Sequence, residues 1–261
     1  TEPFELDKVQ ILDNYYLSAQ KSDIAFLKKM DTARLLAGFR TTAGIDTKGV
    51  RPYGGWEDSL LGGHCVGHYL TALAQAVKVT GDKELKEKSQ TLIAGLEECQ
   101  KKLGTGFLFG AKVEDKEDVE KQFDILEGKK KGETWVPWYN MHKVLAGLVD
   151  TYKYTGNETA LLVAEKLGDW IYERVSKWDL KTNQKVLETE YGGMNDCLYE
   201  LYSYSHNKHH LEAAQKFDEK ALFLMAAKGE KNCLDGKHAN TQIPKFIGAV
   251  KRYNVLKQLG E

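Results

Sequence analysis

Four segments of this chain concentrate residue types that can hold a polyhydroxylated ligand. They are Tyr53-Gly-Gly-Trp56-Glu57 running on to Gly63-His64-Cys-Val-Gly-His68, then Trp135-Val-Pro-Trp138-Tyr139-Asn140-Met-His142, then Glu190-Tyr191-Gly-Gly-Met-Asn195-Asp196, and last Lys237-His238-Ala-Asn240-Thr241-Gln242. Aromatic faces pack on the C–H surface of a sugar, while imidazoles and amides exchange hydrogen bonds with its hydroxyls. Trp56, Trp135 and Trp138 stand beside Gly, Pro and Tyr and outside helical periodicity, so at least one of them is a stacking platform, although a single tryptophan is more often a core plug. His142 and His238 occupy equivalent positions and, with Asn195 and Asn240, outline a shared polar pocket.

Other chemistries are less well served. His64 and His68 lie four apart, on one face of a helix, a spacing able to hold a metal ion. The glutamate of an HExxH pair is missing between them, so hydrogen bonding to ligand or backbone is the preferred reading. Glycosidic cleavage needs paired carboxylates. Glu57, Asp58, Glu188, Glu190 and Asp196 are available, with Glu57 and Glu190 foremost because they stand in glycine-rich loops. Acidic residues before helices also complement the helix dipole, which competes with a catalytic role. His206, His209 and His210 fall in a turn and the start of an outer helix, where solvent exposure is expected. Neither a Gly-rich phosphate loop nor a GxSxG elbow occurs.

Positioning these residues falls to helices. Apolar positions recur with helical spacing almost throughout, and no segment alternates as a strand would. The pattern predicts nine helices, at 7–19, 22–39, 65–80, 84–102, 139–154, 158–175, 193–204, 208–226 and 240–256. A unit repeats: His68-Tyr-Leu-Thr-Ala-Leu-Ala with Val79-Thr-Gly-Asp82, and His142-Lys-Val-Leu-Ala-Gly-Leu with Tyr154-Thr-Gly-Asn157, each followed by a second helix. A third copy runs from Met194 through Ser205-His206-Asn207. A fourth begins at His238 and is cut off after one helix. In each turn a glycine suits a left-handed helix cap, and the acidic or amide residue suits the next N-cap. Hairpins of this kind stack into a solenoid or curl into an α/α toroid. The loaded segments all precede first helices and would open on one mouth of a ring, which favours the toroid: an all-α, (α/α)6-barrel-like but incomplete arrangement within a single helical domain spanning 1–261.

Composition sets bounds. The formal charge is −1, from 37 basic and 38 acidic residues, so no net field draws nucleic acid or an anionic membrane. The basic run Lys129 to Lys131 and the charged stretch from Glu114 to Lys121 read as solvated loop. Cys65, Cys99, Cys197 and Cys233 occur singly, without zinc-ribbon spacing, and are read as separate reduced thiols. The start at Thr1 lacks a signal-peptide pattern, which points to the cytoplasm, with a removed leader left open.

At the four segments the sequence resembles the bacterial β-L-arabinofuranosidase group, glycoside hydrolase families 127 and 146, and looks closer to the second. Tyr53 to Glu57 with Gly63 to Leu70, Trp135 to Tyr139 with His142 to Leu148, Glu190 to Asn195, and His238 to Lys245 carry the likeness, in order along nearly the whole chain. The resemblance implies an (α/α)6 barrel followed by β-sandwich domains, acting on L-arabinofuranosides of plant glycans with retention. It also implies a zinc-bound cysteine nucleophile held by three cysteines and a glutamate, with a second glutamate as acid/base. Those groups follow the His-Ala-Asn-Thr block in the family, and none of the four cysteines here matches them. The resemblance therefore assigns no metal or cofactor to this chain, and it carries over pocket-lining roles for His64, His68, His142, His238, Trp56, Glu57, Asn195 and Asn240.

The expectation is a chain that supplies the sugar pocket of a glycosidase acting on an L-arabinose-containing oligosaccharide, with the catalytic groups elsewhere. A non-catalytic carbohydrate-binding or scaffold protein, and a different α/α-barrel epimerase or lyase, are the competing readings. An open barrel exposes apolar helix faces, so self-association or a completing polypeptide is expected.

Overall fold

Capping side chains decide where the helices begin. Asp13 accepts from the Tyr15 and Tyr16 N–H groups and starts α1 (Asn14–Lys29), and Asp31 does the same for Ala33 and Arg34 at α2 (Thr32–Thr42). The first helix thus begins and ends later than periodicity suggests, because these two aspartates set the register. A 3-10 turn at Gly55–Asp58 precedes α3 (His64–Thr80), and α4 (Lys83–Leu103) follows. Next come α5 (Lys121–Leu126), α6 (Pro137–Thr155), α7 (Glu158–Val175), α8 (Leu180–Leu187), α9 (Met194–Ser205), α10 (Lys208–Lys216), α11 (Lys220–Ala227) and α12 (Ala239–Leu259). This computed structural model describes residues 4–113, 115–230 and 233–260, and Thr1 and Glu114 of the sequence reading lie outside them.

Each of the nine predicted helices has a helical counterpart, but residues 9–13 of the first are not helical and the predicted 22–39 helix is broken at Met30–Asp31; three more elements appear among the described residues. Segments 121–126 and 180–187 are short helices within expected loops, and the predicted 208–226 helix divides into α10 and α11 around the buried Phe217 and Asp218. No strand occurs among the described residues, and no helix is long and apolar enough to cross a membrane.

The repeat is visible as three hairpins. Gly81 and Gly156 adopt φ of 65° and 67° as left-handed caps, and Asp82 and Asn157 then accept the Leu85 and Ala160 N–H groups to open the returning helix. In the third hairpin His206 takes the left-handed position with φ 51°, and Asn207 caps α10. The first helices form a continuous inner series, α3 against α6, α6 against α9 and α9 against α12, while α4, α7 and α10 back them from outside. Leu70 and Leu73, Val144, Leu145 and Leu148, and Leu198 and Leu201 are fully enclosed between the layers. The architecture is an all-α, incomplete α/α toroid.

Close backbone approach fixes the inner helices. A Cβ on Gly67 would meet the Lys143 carbonyl, and one on Gly147 would meet Gly67, so α3 and α6 touch where only glycine fits. Beneath the ends of these helices lies an aromatic layer in which Trp138 packs against Phe123, Trp170, Trp178 and Phe217. That layer supports the loops that carry the polar groups.

Candidate functional site

The start of α3 is built around one carboxylate. Glu57 is buried, and its Oε2 accepts the Gly63 N–H at 2.9 Å while Oε1 accepts the Cys65 N–H at 3.2 Å. It thereby satisfies two of the donors that a helix start leaves open. The same Oε1 lies 2.9 Å from His64 Nδ1, which is also 2.9 Å from the Leu61 carbonyl. A carbonyl only accepts, so Nδ1 carries hydrogen and the imidazole is locked in orientation. Burial works against both ionised groups. The His64 and backbone bonds nonetheless hold Glu57 below its ordinary value, and Cys65 together with Glu57 pushes His64 up to about 10.

The facing wall comes from α6. Asn140, fully enclosed, donates from Nδ2 to the Leu61 and Gly62 carbonyls and so pins the loop before α3 onto α6. Two residues on, His142 accepts the Gly193 N–H at Nδ1, 3.0 Å away, which leaves its proton on Nε2. Burial, with Lys143 and His68 adding to it, keeps this imidazole neutral, well below its usual range. His68 stands exposed at the mouth, and its pKa is lowered by desolvation on its inner side and by Lys143 and His64. Lys143, whose ammonium lies 4.7 Å from the centre of the Tyr139 ring, is itself lowered by burial, with Cys197 and Glu190 opposing. Glu190 and Cys65 also act on Tyr139, whose hydroxyl is raised chiefly by burial.

These couplings draw the loop before α3, the start of α6 and the loop before α9 into one constellation: Trp56, Glu57, His64, His68, Tyr139, His142, Lys143 and Glu190. The Trp56 ring is 66% exposed and 6.2 Å from that of His64, while Trp138 is 1% exposed and belongs to the core. Trp135 is 47% exposed on the loop leading into α6. Of the three imidazoles His68 and His142 are the ones held down, while His64, the one beside the indole, is pushed up; uncharged donors match sugar hydroxyls and an indole face matches C–H.

Other predicted residues sit elsewhere. Asn195 is 0% exposed, and its amide is bonded to Asp218 and the Lys245 carbonyl while its oxygen accepts the Asp196 N–H. A Cβ on Gly248 would collide with it, so Asn195 locks α12 onto α9. His238 and Asn240 are exposed at the start of α12, where His238 makes no side-chain capping bond. Asp58 is exposed, and Asp196 lies inside, where burial raises its pKa. The expectation of an exposed His210 is corrected. It is fully buried, bonded to Ser205 and Asp169, because Gly168 on α7 leaves room for its ring. Lys129 to Lys131 are exposed, as expected of a solvated loop.

Sequence reasoning gave no site role to Cys65, Tyr139 or Lys143. Cys65 and Tyr139 stand one turn before His68 and His142, and Lys143 directly follows His142, which was the available signal. A cleft of about 880 Å3 between α8 and α10–α11 lies apart from this constellation and contains no histidine.

Comparisons with known proteins agree on one family. A sequence model described as the β-L-arabinofuranosidase, GH127 catalytic domain matches residues 8–259. Among solved structures, a GH127 β-L-arabinofuranosidase from Geobacillus stearothermophilus T6 superposes with a TM-score of 0.59 at 15% identity, a likeness of fold. The match covers 97% of this chain and 42% of that one, so the chain spans less than half the length of that protein. No curated protein sequence matches.

Proposed function

The chain belongs to the β-L-arabinofuranosidase GH127 catalytic-domain family, and from that premise we propose that its mouth constellation is the sugar-binding wall of a glycosidase acting on L-arabinofuranosides of plant glycans. The observation that supports the proposal is a neutral, backbone-locked His142 with His68 as its electrostatic neighbour, on the side of the molecule where α3 and α6 begin and where Trp56 stands exposed beside His64. His142 offers Nε2–H as a donor to a hydroxyl, His68 offers a neutral imidazole, and Trp56 offers a face for the furanose ring. His64 and Glu57, enclosed beneath Trp56, hold the loop in place.

The family implies zinc held by three cysteines and a glutamate. The described residues do not fit that set: Cys99 and Cys197 are buried in α4 and α9, and the one group of three donors among the described residues contains a single cysteine. Accordingly we propose that the nucleophile and the acid/base are not among the residues of this wall, and that the chain is the front part of the catalytic barrel. Hydrolysis of an aryl β-L-arabinofuranoside tests this, using the chain with and without zinc beside a form extended at its carboxyl end. Turnover only by the extended form is expected. Turnover by the 261-residue chain would assign the chemistry to the residues described above.

A further inference from the structure

We propose that His64 Nε2 and Cys65 Sγ form a binding site for a thiophilic divalent ion of the zinc class, with Glu57 as the carboxylate behind the imidazole. Glu57, His64 and Cys65 are the group of metal-ligating side chains that the described residues bring within 4.8 Å of one another. Nε2 lies 3.7 Å from Sγ. Ligands of a tetrahedral zinc, at about 2.0 Å for nitrogen and about 2.3 Å for sulfur, are separated by roughly 3.5 Å, so an ion can be seated between these two atoms with little movement.

The supporting shell is already in place. Nδ1 faces Glu57 and the Leu61 carbonyl at 2.9 Å each, which directs Nε2 toward Cys65. A carboxylate on the far nitrogen of a ligating histidine orients the ring and raises its basicity. Glu57 is in turn held by the Gly63 and Cys65 N–H groups. Cys65 is half-buried, and Trp56, whose ring lies 6.2 Å from that of His64, is exposed, which leaves an approach to the site. His68, one turn further along the same face with its ring 6.2 Å from that of His64, supplies a third donor after a side-chain rotation. One thiol with one or two imidazoles favours zinc or cobalt over magnesium or calcium. Binding displaces the protons on Nε2 and the thiol into solvent, so occupancy weakens on acidification. The donor set differs from three cysteines and a glutamate, and the inference does not depend on the sugar-binding role.

The test is an anaerobic titration of the reduced 261-residue chain with cobalt(II) alone, read by the sulfur-to-cobalt charge-transfer band and followed by zinc displacement. About one equivalent should generate the band. Cys65→Ser should abolish it, Cys233→Ser should leave it, and Glu57→Gln should weaken cobalt binding by about 10–100-fold. Far-UV circular dichroism on each variant confirms folding, and His64→Asn replaces Glu57→Gln if the latter unfolds, with a loss at least as large expected because it removes a direct ligand. Absence of the band at stoichiometric cobalt, or its survival in Cys65→Ser, overturns the proposal.

Discussion

His64 at the start of α3 and His142 in the first turns of α6 are both buried and respond to pH in opposite directions. Partners raise His64 from its ordinary 6.5 to about 10, so its contribution to stability is complete below about pH 6.5 and is lost as pH rises toward 10. His142 is held neutral by burial, so below its ordinary 6.5 the unfolded chain takes up a proton that the folded chain refuses, and stability falls on acidification. Thermal unfolding followed across pH should therefore show His64→Gln flattening the alkaline limb, and an unchanged limb would contradict the pairing with Glu57. At neutral pH, His142→Ala should destabilise the fold by about 1–3 kcal/mol, because it strands the Gly193 N–H, and chemical denaturation measures it. His64, His68, His142 and Trp56 stand out in the sequence by residue type and position. Asn195 was misleading there, because an amide that pins two helices and an amide that binds a ligand look alike until packing is known. His210 misled for a related reason: the space that buries it is left by Gly168, distant in sequence.

The helices read easily where capping chemistry and periodicity agree, as in the Gly81-Asp82 and Gly156-Asn157 turns. They read poorly where one aspartate outweighs periodicity, as at Asp31, or where a buried aromatic interrupts an apolar run, as Phe217 does between α10 and α11. The contact between α3 and α6 was invisible, because a glycine in a helix carries no mark of the backbone it faces. Gly67→Val tests that contact. The added side chain would drive into the Lys143 carbonyl and should destabilise the protein by about 3 kcal/mol or more. A change below about 1 kcal/mol in a urea melt would mean that the helices are further apart than described. His68 and His142 would separate with them, so sugar binding should be lost in the same variant.

Across the whole molecule, α9 packs on α12, and on α12 the side chains of Ile243, Ile247, Val250 and Tyr253 are exposed at helical spacing. Such a stripe favours association. Light scattering should show mass growing with concentration, and Ile247→Lys should return the chain to a monomer; a wild-type chain that stays monomeric at high concentration would contradict this. The proposed pocket is tested most directly by calorimetric titration of methyl β-L-arabinofuranoside into the chain and into His68→Ala and His142→Ala. The prediction is binding by the wild type and a loss of about tenfold or more in each folded variant, equivalent to about 1.4 kcal/mol per site. Equal affinity in all three proteins would place the sugar elsewhere and contradict the proposed pocket.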